Sequence, residues 1–245
     1  MTATLVAIGV IALVAFITEG AIGFGGTVIA ASIGAQLVPL DELLPAFVPV
    51  NMALSAWLLV RGVSLIQWRF LVREIVPAVA VGAAIGLVLF HLPAKTVLAL
   101  VFGVFVVGLA TLQLLRPATG DLPPVARYGL LGIGGVAHGL FGTGGPMIVY
   151  VTRRRVDDKS AFRATLAVLW LSLNTALLVN FLSLGLYHRE TVDTGAAIAL
   201  AVIPGLVIGE RIHRALDAAR FERVVWVLLL VAGAALAVRN AFGLA

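Results

Sequence analysis

Apolar residues run along this chain in long blocks, separated by short polar or glycine-rich stretches. Ten such blocks can be traced, at roughly residues 3–19, 26–39, 43–60, 74–90, 96–115, 127–139, 145–152, 163–186, 192–209 and 221–241. Most are nearly free of charge and too long for strands, so the pattern predicts helices that cross a bilayer. The second and seventh blocks are short. At ~1.5 Å per residue, residues 145–152 reach only about 12 Å, against a hydrocarbon core of ~30 Å. A helix there must start near the middle of the membrane.

Both short blocks follow the same motif. Glu19-Gly20-Ala21-Ile22-Gly23-Phe24-Gly25-Gly26 and His138-Gly139-Leu140-Phe141-Gly142-Thr143-Gly144-Gly145 each read polar-G-x-x-G-x-G-G. Gly82-Ala83-Ala84-Ile85-Gly86 is matched in the same way by Gly205-Leu206-Val207-Ile208-Gly209. The chain therefore reads as one transmembrane domain, 1–245, made of a first repeat (1–115), a polar Pro-rich linker (116–126) and a second repeat (127–245). Each half holds five segments. An odd number sends the second half into the membrane from the opposite side, so the expected fold is all-α, polytopic, and an inverted repeat with broken or re-entrant helices at the glycine turns.

Charge decides the orientation. When loops are assigned alternately to two sides, Lys95, Arg189 and Arg239 fall on one and the remaining 14 of the 17 Lys and Arg residues on the other. The basic side is then cytoplasmic and both termini face the periplasm. This holds whether the glycine hairpins are full spans or re-entrant, because a pair preserves parity. The same clustering in short loops explains the sequence pI of about 10.4 without nucleic acid. At 61% hydrophobic residues and a mean hydropathy of +1.11, the apolar N-terminus reads as a first span rather than a removable leader. The absence of cysteine excludes disulfides and thiolate chemistry.

The glycine turns suit an anion. A helix that begins inside the membrane presents unpaired backbone N–H groups and the positive end of its dipole, and glycine lets a ligand approach the backbone. Gly23, Gly25, Gly26, Gly142, Gly144 and Gly145 are the candidate backbone donors, with the Thr27 and Thr143 hydroxyls beside them. The amides of Asn51 and Asn174, deep in apolar segments together with Ser172 and Thr175, would complete a cradle of neutral donors. Glu19 and His138, at equivalent places before the turns, are the candidates for proton coupling, since intramembrane ionisable groups are costly to keep. Each feature has a plainer reading. The glycines would serve close helix packing, the amides interhelical hydrogen bonds, and Glu19 and His138 structural contacts. Arg153-Arg154-Arg155 reads as a topological anchor, and Arg163 as a cation reaching for the interface.

Other chemistry lacks its residues. The four His are scattered without metal-ligand spacing, and no nucleotide fingerprint or nucleophile elbow is present, so the expectation is no catalytic residue, no metal and no cofactor.

The paired glycine turns, the segment Ser172-Leu173-Asn174-Thr175 and the closing Gly205-x-x-x-Gly209 resemble the TauE/SafE sulfite exporter family, also called the TSUP permeases. The likeness runs through both halves, although members often carry three consecutive glycines where Thr27 and Pro146 here follow two. What it implies is a permease for a small sulfur-containing anion, such as sulfite, sulfoacetate or a related sulfonate, in the bacterial inner membrane. The expected function is secondary transport of such an anion by alternating access, with proton coupling a candidate mechanism; an anion channel using the same helix ends is the alternative. The expected partners are the anionic substrate and the lipid bilayer, not nucleic acid, with room for a homodimer.

Overall fold

The computed structural model describes residues 2–34, 36–89, 95–115, 120–142 and 145–241, and all regular structure among them is helical. In chain order the helices are α1 (Thr2–Ile22), α2 (Gly26–Ile29, continued by a π turn over Ala30–Gly34), α3 (Leu40–Gly62), α4 (Trp68–Phe70), α5 (Val76–Leu89), α6 (Lys95–Leu115), α7 (Pro124–Phe141), α8 (Gly145–Arg153), α9 (Lys159–Ser183), α10 (Arg189–Ala199), α11 (Val202–Ala215) and α12 (Ala218–Ala241). Among the described residues, five stretches are long and apolar enough to cross a membrane: Ala3–Ile22, Leu40–Leu65, Trp68–Leu89, Lys159–Ser183 and Arg189–Ala215.

Helix ends and irregularities have local causes. Asp158 accepts the N–H groups of Ser160 and Ala161 to cap α9, and Asp217 caps α12 through Arg220 N–H. A π turn over Leu71–Ile75 links α4 to α5 just before Pro77, which has no N–H to continue the ladder. The ninth apolar block, expected as one helix, breaks at Leu200 and Ala201 into α10 and α11. Pro204 explains this, because its ring excludes the residue 200 carbonyl from a helical bond. Within α3, Pro49 likewise leaves the Pro45 carbonyl without its helical donor, and the Tyr187 hydroxyl donates to it instead at 3.2 Å.

The chain forms two compact units, and each draws on both sequence halves. The first comprises Met1–Ile66 and Arg163–Leu216. Here α11 packs along α1, and α10 along α3. A side chain at Gly205 would run into Phe16, and one at Gly209 into Ile17 O and Gly20. The second unit comprises Gln67–Phe162 and Asp217–Ala245. There α5 packs on α7, and α6 on α12. Gly82 and Gly86 press on Gly132, Val136 and Gly139 of α7 closely enough that any Cβ would strike backbone. Small residues at these crossings let helix backbones approach where the apolar solvent gives little drive for helix association.

An ionic cluster in the second unit ties down the linker. Arg127 pairs with Glu74 at 2.8 Å and Asp121 at 3.0 Å; Arg155 pairs with the same two carboxylates. Arg154 donates to Gly120 O and lies over Tyr150, while Arg153 closes on the carbonyls of Val156 and Asp157. The three consecutive arginines are thus engaged in structure. At Asp121 partial desolvation acts upward, but the Leu122 N–H and the Arg155 and Arg127 guanidinium groups outweigh it and hold the carboxyl below its usual range.

Candidate functional site

The first glycine turn is built from backbone that only glycine adopts easily. Gly23 has φ 91° and Gly25 φ 98°, and Gly25 precedes the first residue of α2. The turn is enclosed in the protein: residues 19–24 and Gly26 are buried. Breaking α1 here orphans the carbonyls of its last turn, and in a membrane no water repairs that. Side chains do so instead. Arg163 of α9 donates to Gly20 O at 2.6 Å, His213 Nδ1 of α11 to Ala21 O at 2.7 Å and Trp170 Nε1 of α9 to Gly23 O at 2.8 Å. Gly23 N–H closes on Glu19 O at 2.7 Å. Arg163 is itself held by Glu210 at 2.9 Å, and its side chain lies so close to Gly23 that a Cβ there would approach Arg163 Cα to 2.9 Å.

These clamping residues were not read as part of the site from sequence. The sequence reads Arg163 as a cation reaching for the interface, but its guanidinium binds a carbonyl of the break. The available signal was its position inside an apolar segment, with Glu210 and His213 extending the Gly205, Gly209 stripe at helical spacing.

Above the clamp sits a polar chain. Asn51 Nδ2 of α3 donates to Glu19 Oε2 at 2.7 Å, and Asn174 Nδ2 of α9 donates to Asn51 Oδ1 at 2.8 Å. All three residues are buried, at 1–2% exposure. The Gly26 N–H also serves the Glu19 carboxyl, and a side chain at Gly26 would collide with Glu19 Oε2. Two buried atoms here lack a partner: Asn174 Oδ1 and, one turn along α3 from Asn51, Ser55 Oγ. The structure therefore brings Glu19, Gly26, Asn51 and Asn174 together, with Thr27 half-buried on α2. Ser172 and Thr175 stand apart, donating to Val168 O and Leu171 O of their own helix.

The second turn belongs to the other compact unit. Gly142 ends α7 in the left-handed region, φ 65°, with its N–H on His138 O at 2.8 Å, and buried Gly145 opens α8. His138 is buried in α7. Thr143 and Gly144 lie outside the described residues.

The comparison with known families bears on what a buried polar site in such a fold does. The family model described as "Sulfite exporter TauE/SafE" matches residues 8–236, nearly the whole chain. The chain belongs to the TauE/SafE family. As a TauE/SafE protein it is a membrane transporter for sulfur anions rather than an enzyme. It is also similar to the "Probable inner membrane transporter protein TsaS" of Comamonas testosteroni, 29% identical over 174 residues, which cover 70% of this chain and 72% of that protein. No solved structure gives a significant match. The TauE/SafE assignment agrees with the resemblance carried by the paired turns, and the five membrane-length helices agree with a polytopic protein.

Proposed function

We propose that this chain is a secondary transporter that moves a small sulfur oxyanion or sulfonate across the inner membrane by alternating access, with both termini on the periplasmic side. The observation that carries this reading is the buried cluster of Glu19, Gly26, Asn51 and Asn174 at a break between helices. Its donors are neutral, so they can bind an anion without the cost of burying a second full charge. Glu19, the one carboxyl among them, is the proposed coupling group. The Gly142 and Gly145 turn with His138 is proposed as the counterpart in the second half. Reciprocal packing supports an inverted repeat: the G-x-x-x-G helix of each half, α5 or α11, lies on the first helix of the other half, α7 or α1.

The test is uptake of labelled sulfite and sulfoacetate into vesicles containing the purified protein. Saturable uptake at low turnover is expected, and the Asn51→Leu and Asn174→Leu variants should lose about tenfold or more in kcat/KM for each charge-assisted hydrogen bond removed. Wild-type uptake by both variants would overturn the site, and flux linear in concentration would make the protein a channel.

A further inference from the structure

The Glu19, Asn51 and Asn174 side chains form a chain with a direction, and that direction is set at one end. An ionised carboxylate only accepts hydrogen bonds, so Asn51 must turn its NH₂ group toward it. Asn51 then offers only its oxygen to Asn174, and Asn174 must turn its own NH₂ inward. The far end of the chain is left as a carbonyl oxygen, Asn174 Oδ1, buried and without a partner. A bare acceptor in an apolar interior repels an oxyanion.

Protonating Glu19 removes the constraint. A neutral carboxyl can donate through its O–H to Asn51 Oδ1 once that amide turns over. Asn51 Nδ2 then donates to Asn174 Oδ1, and Asn174 turns its NH₂ to the far end of the chain. One proton moves from water onto a carboxylate oxygen, two hydrogen bonds reverse, and no covalent bond in the amides changes. We infer that Asn51 and Asn174 act as an amide relay that converts proton binding at Glu19 into an anion-binding N–H donor at Asn174. This inference rests on the transporter reading above and specifies how its proton and its anion are linked: each favours the other's binding.

Other charges on the elements packed against α1 are engaged or lie at the surface. Arg163 bonds Gly20 O and Glu210, His213 bonds Ala21 O, and Glu42 accepts from Thr194. Asp41 and Arg61 of α3, Arg189, Glu190 and Asp193 of α10, and Arg211 and Arg214 of α11 are exposed. The relay thus reads the charge of Glu19 through two neutral side chains.

Two measurements test it. The first is calorimetric binding of sulfoacetate to purified protein across roughly pH 5 to 8, where coupling to one proton makes affinity rise by up to about tenfold per pH unit as pH falls. Glu19→Gln should bind as the wild type does at low pH, at every pH, because its amide, like the protonated carboxyl, offers a donor as well as an acceptor and so permits the reversed direction. Asn51→Leu keeps Glu19 but cuts the relay, so its weakened binding should lose the pH slope; a retained wild-type slope would overturn the relay while leaving the site intact. Wild-type binding by Asn174→Leu at every pH would instead overturn the site reading itself. The second measurement needs no ligand. In an infrared difference spectrum between high and low pH, loss of the Glu19 carboxylate signal should be accompanied by shifts of asparagine C=O bands that vanish in Asn51→Leu. A Glu19 signal with no asparagine component in the wild type would overturn the proposal.

Discussion

Gly23 and Gly25 share a backbone conformation yet differ in what surrounds them, and this separates strain from crowding. At Gly25 an added Cβ would meet only Thr18 Cγ2 at an ordinary 3.5 Å, so Gly25→Ala should cost about 1–2 kcal/mol from its left-handed backbone alone. At Gly23 the same methyl would meet Arg163 Cα at 2.9 Å, and a backbone atom cannot step aside. Gly23→Ala should therefore lower the thermal midpoint in detergent clearly more than Gly25→Ala; equal midpoints would refute the account of the turn. The need for glycine at both positions was legible in the motif. The identity of what crowds Gly23 was not, because Arg163 lies 140 residues further along the chain and no local periodicity links the two.

Proline decides the shape of several helices, and one of its effects is open to a double-mutant test. Tyr187 Oη supplies the hydrogen bond that Pro49 denies to the Pro45 carbonyl. Tyr187→Phe should cost about 1 kcal/mol in unfolding experiments. In a Pro49→Ala background, where a backbone N–H can serve that carbonyl, the same change should cost close to nothing. An undiminished cost would mean that the hydroxyl acts elsewhere. Ten apolar blocks were legible as ten helical segments because membrane helices are long and uniformly apolar. The π turn over Leu71–Ile75 and the break at Leu200 were not, since hydropathy averages over the single proline beside each of them. The polar chain was half legible. Glu19, Asn51 and Asn174 stood out as polar residues in apolar runs, but their hydrogen-bond order depends on how α1, α3 and α9 meet.

For the molecule as a whole, the 14-to-3 distribution of basic residues predicts an orientation that the cysteine-free sequence makes simple to test. A membrane-impermeant maleimide applied to intact cells should label Ser183→Cys, at the end of α9, and spare Ser64→Cys, beyond α3. The reverse pattern would invert the topology. The ionic cluster around the linker adds a pH dependence. Because folding depresses the Asp121 pKa, its contribution is fully present above the unfolded value of about 3.9 and is lost as pH falls through the lower folded value. The midpoint difference between the wild type and Asp121→Asn should be constant from neutrality to about pH 5 and shrink as pH falls through the lowered folded-state pKa. A difference that persists in strong acid would assign the effect to something other than the carboxylate charge. The inverted repeat is a proposal drawn from the paired motifs, and the crossed G-x-x-x-G contacts are the packing it would explain.

The clamp on the first turn also has a consequence in time. Ala21 leaves the ribosome 192 residues before His213, which caps its carbonyl, and Gly20 leaves 143 residues before Arg163. At ~5–20 residues per second, the broken end of α1 waits roughly ten to forty seconds for the last of its partners. Through that interval three backbone carbonyls have no native donor, and the growing chain must shelter them in the insertion machinery or in water at the membrane surface. Helix α1 is made long before its partners and finished only with them, so a nascent chain that stops short of α11 presents an unsealed turn.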